Sequence, residues 1–83
     1  MEANLSILLE RVEGGYMATA RDDAGPVASA ASRDPSDAVC RASMRASRIL
    51  WPEGGGDLVV DVTPLSEAVL EDLDEEFRAI FGL

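Results

Sequence analysis

The run Asp34-Pro35-Ser36-Asp37 constrains the chain more than any other, because its residues together specify the start of a helix. Asp34 can accept from the orphan amides of a first turn, Pro35 has no amide to lose there, and Asp37 falls at the positive end of the helix dipole. The helix is predicted to run to about Leu50, where Trp51-Pro52-Glu53-Gly54-Gly55-Gly56 stops it and supplies a flexible turn. Ala38, Ala42, Ala46 and Ile49 recur on one face, with Val39 and Leu50 beside them. Side chains this small let a helix lie close against a sheet, so strands are expected on either side of it in the chain.

Upstream, Leu5 to Val12 fits two patterns: Leu5, Leu8, Leu9 and Val12 make a helical stripe, whereas Leu5, Ile7 and Leu9 line one face of a strand. The residues after Val12 favour the strand. Glu13-Gly14-Gly15 suits a tight turn, and Tyr16-Met17-Ala18-Thr19-Ala20 supplies an aromatic and a β-branched residue, so the pair reads as a hairpin. Arg21 to Pro26 has the chemistry of a loop, and Val27 to Ser32 is a third strand of weak propensity. Downstream, Leu58 to Val62 reads as a buried strand. Thr63-Pro64 then suits the cap and first position of a second helix. The expected order is β-β-β-α-β-α, an α+β domain in which residues 1–62 form the core and 63–83 add a C-terminal amphipathic helix.

A chain of 83 residues holds one such domain. At this size folding buries only about 60–65% of the surface exposed by the unfolded chain, so a homodimer or higher oligomer is expected. The apolar fraction of 47% is that of a folded protein despite a net charge of −9, which places the acid on the surface. It is unevenly spread: residues 57–83 carry eight acids against Arg78 alone, while residues 38–50 carry Arg41, Arg45 and Arg48 and no acid. Such a surplus repels phosphate backbones and steers toward basic partners, so direct nucleic-acid binding is disfavoured.

Chemistry is limited by what the sequence lacks. It has no histidine, which removes the usual general base and the commonest metal ligand. Cys40, the single cysteine, cannot form an internal disulfide and reads as a small buried thiol in a reducing compartment, the cytoplasm. Met1 to Leu9 lacks a positive flank before its apolar run, and no stretch approaches the roughly 18 apolar residues of a membrane span. Gly54-Gly55-Gly56 precedes a strand and not a helix, so it reads as a turn and not as a phosphate cradle. Asp22-Asp23 with Asp57 or Asp61 could in principle hold a divalent ion, but sixteen acids in so short a chain generate such pairs by chance, and solvated loop carboxylates are the favoured reading. No catalytic residue and no cofactor or metal site is assigned.

Two surfaces stay open to more than one reading. Arg41, Arg45 and Arg48 recur at spacings of four and three, a stripe suited to ion pairs with the chain's own carboxylates, to a protein partner or to phosphate. Leu65, Val69, Leu73, Phe77, Ile80 and Phe81 line one face of the last helix, with Glu71 and Glu75 among the acids of the other. That face either completes the core or forms a partner or oligomer interface. Trp51 beside Pro52 reads as a cover over the edge of the core.

Leu9-Glu10-Arg11 and Gly14-Gly15-Tyr16 of the hairpin, the Asp22 loop ending in Gly25, and Asp34-Pro35-Ser36-Asp37-Ala38 together resemble the HicB-type antitoxin domain over roughly residues 5–50. The resemblance implies a truncated relative of the ribonuclease H fold without its activity, in which three strands lead into a helix and one more strand. Asp34 would take the place of the family's capping Thr, Tyr16 of its hairpin aromatic and Ala38 of its small helix residue. Pro26 follows Gly25 where the family has Pro before Gly, and the stretch from Gly25 to Asp34 is longer than usual. Many members carry a DNA-binding module after this domain; here an acidic amphipathic helix takes that position, so operator binding is not implied.

The function implied is neutralisation of a small basic RNA-cleaving toxin of the HicA type, by covering its RNA surface and catalytic His. The alternative is a stand-alone acidic oligomeric adaptor or inhibitor of a nucleic-acid-binding protein, for which a phage or mobile element is the expected genetic setting. Neither asks the chain to be an enzyme.

Overall fold

The computed structural model describes residues 2–83; Met1 lies outside them. It is a small α+β domain with a four-stranded mixed sheet and three helices. β1 (Glu2–Val12), β2 (Gly15–Asp22) and β3 (Gly25–Ser32) lead into α1 (Pro35–Leu50); β4 (Asp57–Pro64), α2 (Glu67–Asp72) and α3 (Glu75–Phe81) come after it. The strand order is β3-β2-β1-β4. β1 is antiparallel to β2 and parallel to β4, and β2 is antiparallel to β3.

Turn chemistry explains the meander. Val12 pairs with Gly15, leaving Glu13 and Gly14 as the turn, with Gly14 at φ 82°. Gly15 is needed for a different reason: a Cβ there would collide with the carbonyl oxygen of Ser32, at a separation no real side chain tolerates. The expected loop at Arg21 to Pro26 shrinks to Asp23 and Ala24, because Asp22 pairs with Gly25 and its carboxylate accepts from the Ala24 amide at 2.8 Å. β3 consequently starts two residues earlier than expected, after an irregularity between Ala20 and Arg21.

The strand residues that pair across the sheet on one face are the buried ones: Leu5, Ile7 and Leu9 of β1, Ala18 and Ala20 of β2, Ala30 of β3 and Val62 of β4. Ala38, Val39, Ala42 and Ala46 of α1 join the same cluster, as do Val69, Leu73 and Phe77. All three helices therefore cover one face, and the opposite face, with Ser6, Glu10, Arg21, Ser29 and Asp61, is exposed. α1 begins as expected, with Asp34 accepting from the Asp37 amide at 3.1 Å and Pro35 in the first turn.

Further expectations are corrected. Ile49 is 58% exposed, because the small residues Ala28 and Ser29 beside it give it nothing to pack under. Cys40 is exposed, since it projects from the side of α1 away from Ala38, Ala42 and Ala46. β4 is an edge strand with Val59 outward, and Val62 is its one fully buried side chain. Thr63 and Pro64 extend β4 instead of starting a helix, pairing with Leu8 and Leu9, and the Leu65 amide donates to the Leu9 carbonyl at 2.9 Å. An edge strand tolerates a proline, which has no N–H to offer an outer neighbour.

In place of one C-terminal helix there are two. Ser66 caps α2, accepting from the Val69 amide at 3.3 Å. Leu73 then takes an extended conformation at ψ 137°, and Asp74 caps α3, accepting from the Phe77 amide at 2.7 Å. An Asp at this position offers the backbone a cap in competition with continuation of the helix, and here the cap wins. Trp51 lies over Gly56, where a Cβ would run into the indole ring.

Because Leu73 is 3% exposed and Leu65 52%, the two leucines are expected to differ sharply. Leu73→Ala should cost about 2–5 kcal/mol of unfolding free energy, enough to threaten a domain of this size. Leu65→Ala should stay within about 0.5 kcal/mol. Urea unfolding followed by circular dichroism checks both; equal losses would contradict the burial described.

Candidate functional site

The acidic surface is built on the two short helices. Glu67, Glu71, Asp74, Glu75 and Glu76 are all exposed, and among the described residues no ion pair reaches any of them. Their arrangement is dictated by the inward residues: with Val69, Leu73 and Phe77 turned into the core, the acids between them must face water. The apolar face expected of a single helix is thus divided. Val69, Leu73 and Phe77 are core, and Phe81 is half-buried with its ring 4.7 Å from that of Phe77. Leu65 and Ile80 stay outside, Ile80 at 69% exposure. Arg78, the one base of residues 57–83, is half-buried, with its Nε enclosed and without a hydrogen-bond partner.

The basic stripe lies on the other side, where α1 overhangs the outer strand β3. Arg41 pairs with Asp37 at 2.8 Å, and Asp37 also accepts from the Ser32 hydroxyl at 2.7 Å, so the end of β3, the first turn of α1 and Arg41 form one chain of contacts. Arg45 reaches down to donate to the Ser29 carbonyl of β3 at 2.7 Å. Arg48 makes no ion pair among the described residues and lines a hollow with Arg45, Ile49, Ala28 and Ser29.

One polar cluster has no counterpart in the expectations. Asp72, the last residue of α2, accepts from the Tyr16 hydroxyl at 2.5 Å and from Arg11. Arg11 and Tyr16 face each other across the first hairpin, so the carboxylate fastens α2 to the end of β1 and β2. The Tyr16 hydroxyl, and after it the Arg11 guanidinium, hold the Asp72 carboxyl below the usual carboxylate range. The same carboxylate, with some desolvation, pushes the Tyr16 phenol up, and the Arg11 guanidinium is raised beside it. The expected turn of Glu13, Gly14 and Gly15 would not set Arg11 opposite Tyr16; that follows from the pairing of Val12 with Gly15, and the partner Asp72 comes from far along the chain.

The carboxylates considered for a divalent ion are partly assembled. Asp22, Asp23 and Asp61 border a depression of about 340 Å³ on the uncovered sheet face, whereas Asp57 does not line it. Arg21 borders it too, and among the described residues no cluster of three ligating groups could hold a metal ion. Among the same residues, no helix is long and apolar enough to cross a membrane. Compared with family models, with curated proteins and with solved structures, the chain finds no match.

The Asp72 cluster sets a pH dependence of known sign. A depressed carboxyl stabilises the fold fully above its ordinary value near 3.8, and that contribution is lost as pH falls through the lower folded value. A raised phenol stabilises the fold fully below about 10, and that contribution is lost as pH rises through the folded value. Asp72→Ala should therefore melt lower than the parent chain at neutral pH and converge with it in strong acid. Ultraviolet titration of Tyr16 should show a midpoint above the ordinary 10.0 in the parent and a drop in the variant. An unchanged midpoint would mean that the contact does not persist in solution.

Proposed function

We propose that the chain is a non-catalytic protein-binding domain, similar to a HicB-type antitoxin, whose acidic surface covers the RNA-binding surface of a small basic RNA-cleaving toxin. One observation carries the reading: the exposed carboxylates of Glu67, Glu71, Glu75 and Glu76 stand on two capped helices, and among the described residues no ion pair reaches them. Carboxylates free of internal partners hold their charge for an external one. On a chain of net charge −9 they steer a basic protein toward this side and raise its association rate.

The element order supports the resemblance, since three antiparallel strands lead into α1 and one further strand returns beside β1. Exposed Leu65 and Ile80 give the acidic surface two apolar contacts at which a docked partner would exclude water. No catalysis is required of this surface. Its action is occlusion, with the toxin's own catalytic His and its phosphate-binding cations buried against it.

The test is retention by the immobilised chain of a short basic protein from a lysate of the source organism, after a moderate-salt wash. Co-expression should then relieve the growth arrest caused by that protein. Reversing charge with Glu71→Lys and Glu75→Lys should slow association by about tenfold or more at low salt, with a smaller effect at high salt. Failure of any basic ribonuclease to be retained or neutralised would remove the reading.

A further inference from the structure

β3 is an outer strand of the sheet, and its sequence, Gly25 to Ser32, holds no charged residue. Outer strands are ordinarily blunted by charges, bulges or a covering element, because their unpaired backbone groups recruit other strands. Here protection is confined to the first residues, where Pro26 has no amide and the irregularity opposite Ala20 and Arg21 interrupts the ladder. Beyond it, among the described residues, the side-chain hydrogen bond on its outer edge is that of the Arg45 guanidinium to the Ser29 carbonyl. That contact comes from outside the β2–β3 ladder, so the polar groups of Ser29 point outward. By the two-residue repeat of a strand, those of Ala31 point outward as well.

The edge is hollowed on both faces at the same place. On the helix side a largely apolar hollow of about 420 Å³ is walled by Ile49, Arg45 and Arg48 above Ala28 and Ser29. On the uncovered side a second hollow of about 420 Å³ lies between Met17, Thr19 and Val27. Successive side chains of an added strand alternate between faces, so one hollow receives a residue and the other its neighbour.

We infer that the β3 edge is a docking site for an extended acidic segment of a partner protein, which adds as a fifth strand with its carboxylates against Arg45 and Arg48. A carboxylate offers Arg45 a stronger, charge-assisted bond than the neutral Ser29 carbonyl does, and its arrival releases that carbonyl for an incoming amide. A second copy of the chain fits poorly. Two-fold pairing of β3 with β3 keeps both α1 helices on one face and sets Arg45 and Arg48 of each against those of the other. The site lies on the opposite edge from β4 and the acidic helices, and goes beyond the function proposed above.

The probe is a short capped peptide alternating Val and Glu, titrated into the isotope-labelled full chain and followed by nuclear magnetic resonance. Shifts should be confined to β3 and the last turns of α1, with the Ala31 amide becoming protected from exchange. Replacing Glu by Lys in the peptide, or Arg48→Glu in the protein, should weaken binding by about tenfold or more. Ala31→Pro, or N-methylation of alternate peptide amides, should abolish it; the peptide variant decides the matter if the proline disturbs folding.

Equal binding of the Lys peptide, or shifts that map elsewhere, would overturn the proposal. So would sedimentation showing that the free chain dimerises through this edge and that Arg48→Glu strengthens the dimer.

Discussion

Close contact between alanines is the constraint on which the rest of the domain depends. Ala38, Ala42 and Ala46 of α1 share a core with Ala18 and Ala20 of β2 and Ala30 of β3, all at 2% exposure or less. Small side chains on both surfaces let the helix settle low over the outer half of the sheet, but each buries little apolar area. Bulk is supplied on the inner half by Leu5, Ile7 and Leu9, together with Val69, Leu73 and Phe77. The core is thin under α1 and thick toward β1, which is why the two short helices belong to the fold although they come last in the chain.

That asymmetry also separates the charges. A helix lying low over β2 and β3 carries its arginines past the rim of the sheet, where Arg45 can reach the Ser29 carbonyl. The helices after β4 turn their apolar residues inward and leave their acids to solvent. The molecule thus presents a basic flank and an acidic flank at opposite edges of one small sheet. Unlike flanks attract, so two copies would match their charges only head to tail, whereas a partner of one dominant charge can engage a single flank.

Much of the fold was legible because its signals are local. Asp34-Pro35 marks a helix start by chemistry available within four residues, and Glu13-Gly14-Gly15 marks a turn in the same way. The errors arose where local signals competed. Thr63-Pro64 suits a helix start, yet pairing with Leu8 and Leu9 continued the strand. The apolar spacing from Val69 through Phe77 passes undisturbed through a break that the Asp74 cap creates. Periodicity records which side chains are inside; it does not say whether the backbone between them is continuous. Of the surfaces, the charges were legible and their relation to the sheet was not, because Arg45 with Ser29, and Asp72 with Tyr16, join residues that only the tertiary structure brings together.

The parallel pairing of β1 with β4 has a consequence for how the chain is made. Glu2 finds its partner in Asp57, so β1, which precedes the other three strands in the chain, takes an inner place in the sheet, and one of its sides has no neighbour until β4 has been made. During that interval β2 and β3 can form a meander with β1, but Leu5, Ile7 and Leu9 wait for Val69, Leu73 and Phe77. Until β4 and the helices after it are made, the apolar side chains of β1 stay partly uncovered, so completing this sheet depends on a long-range pairing.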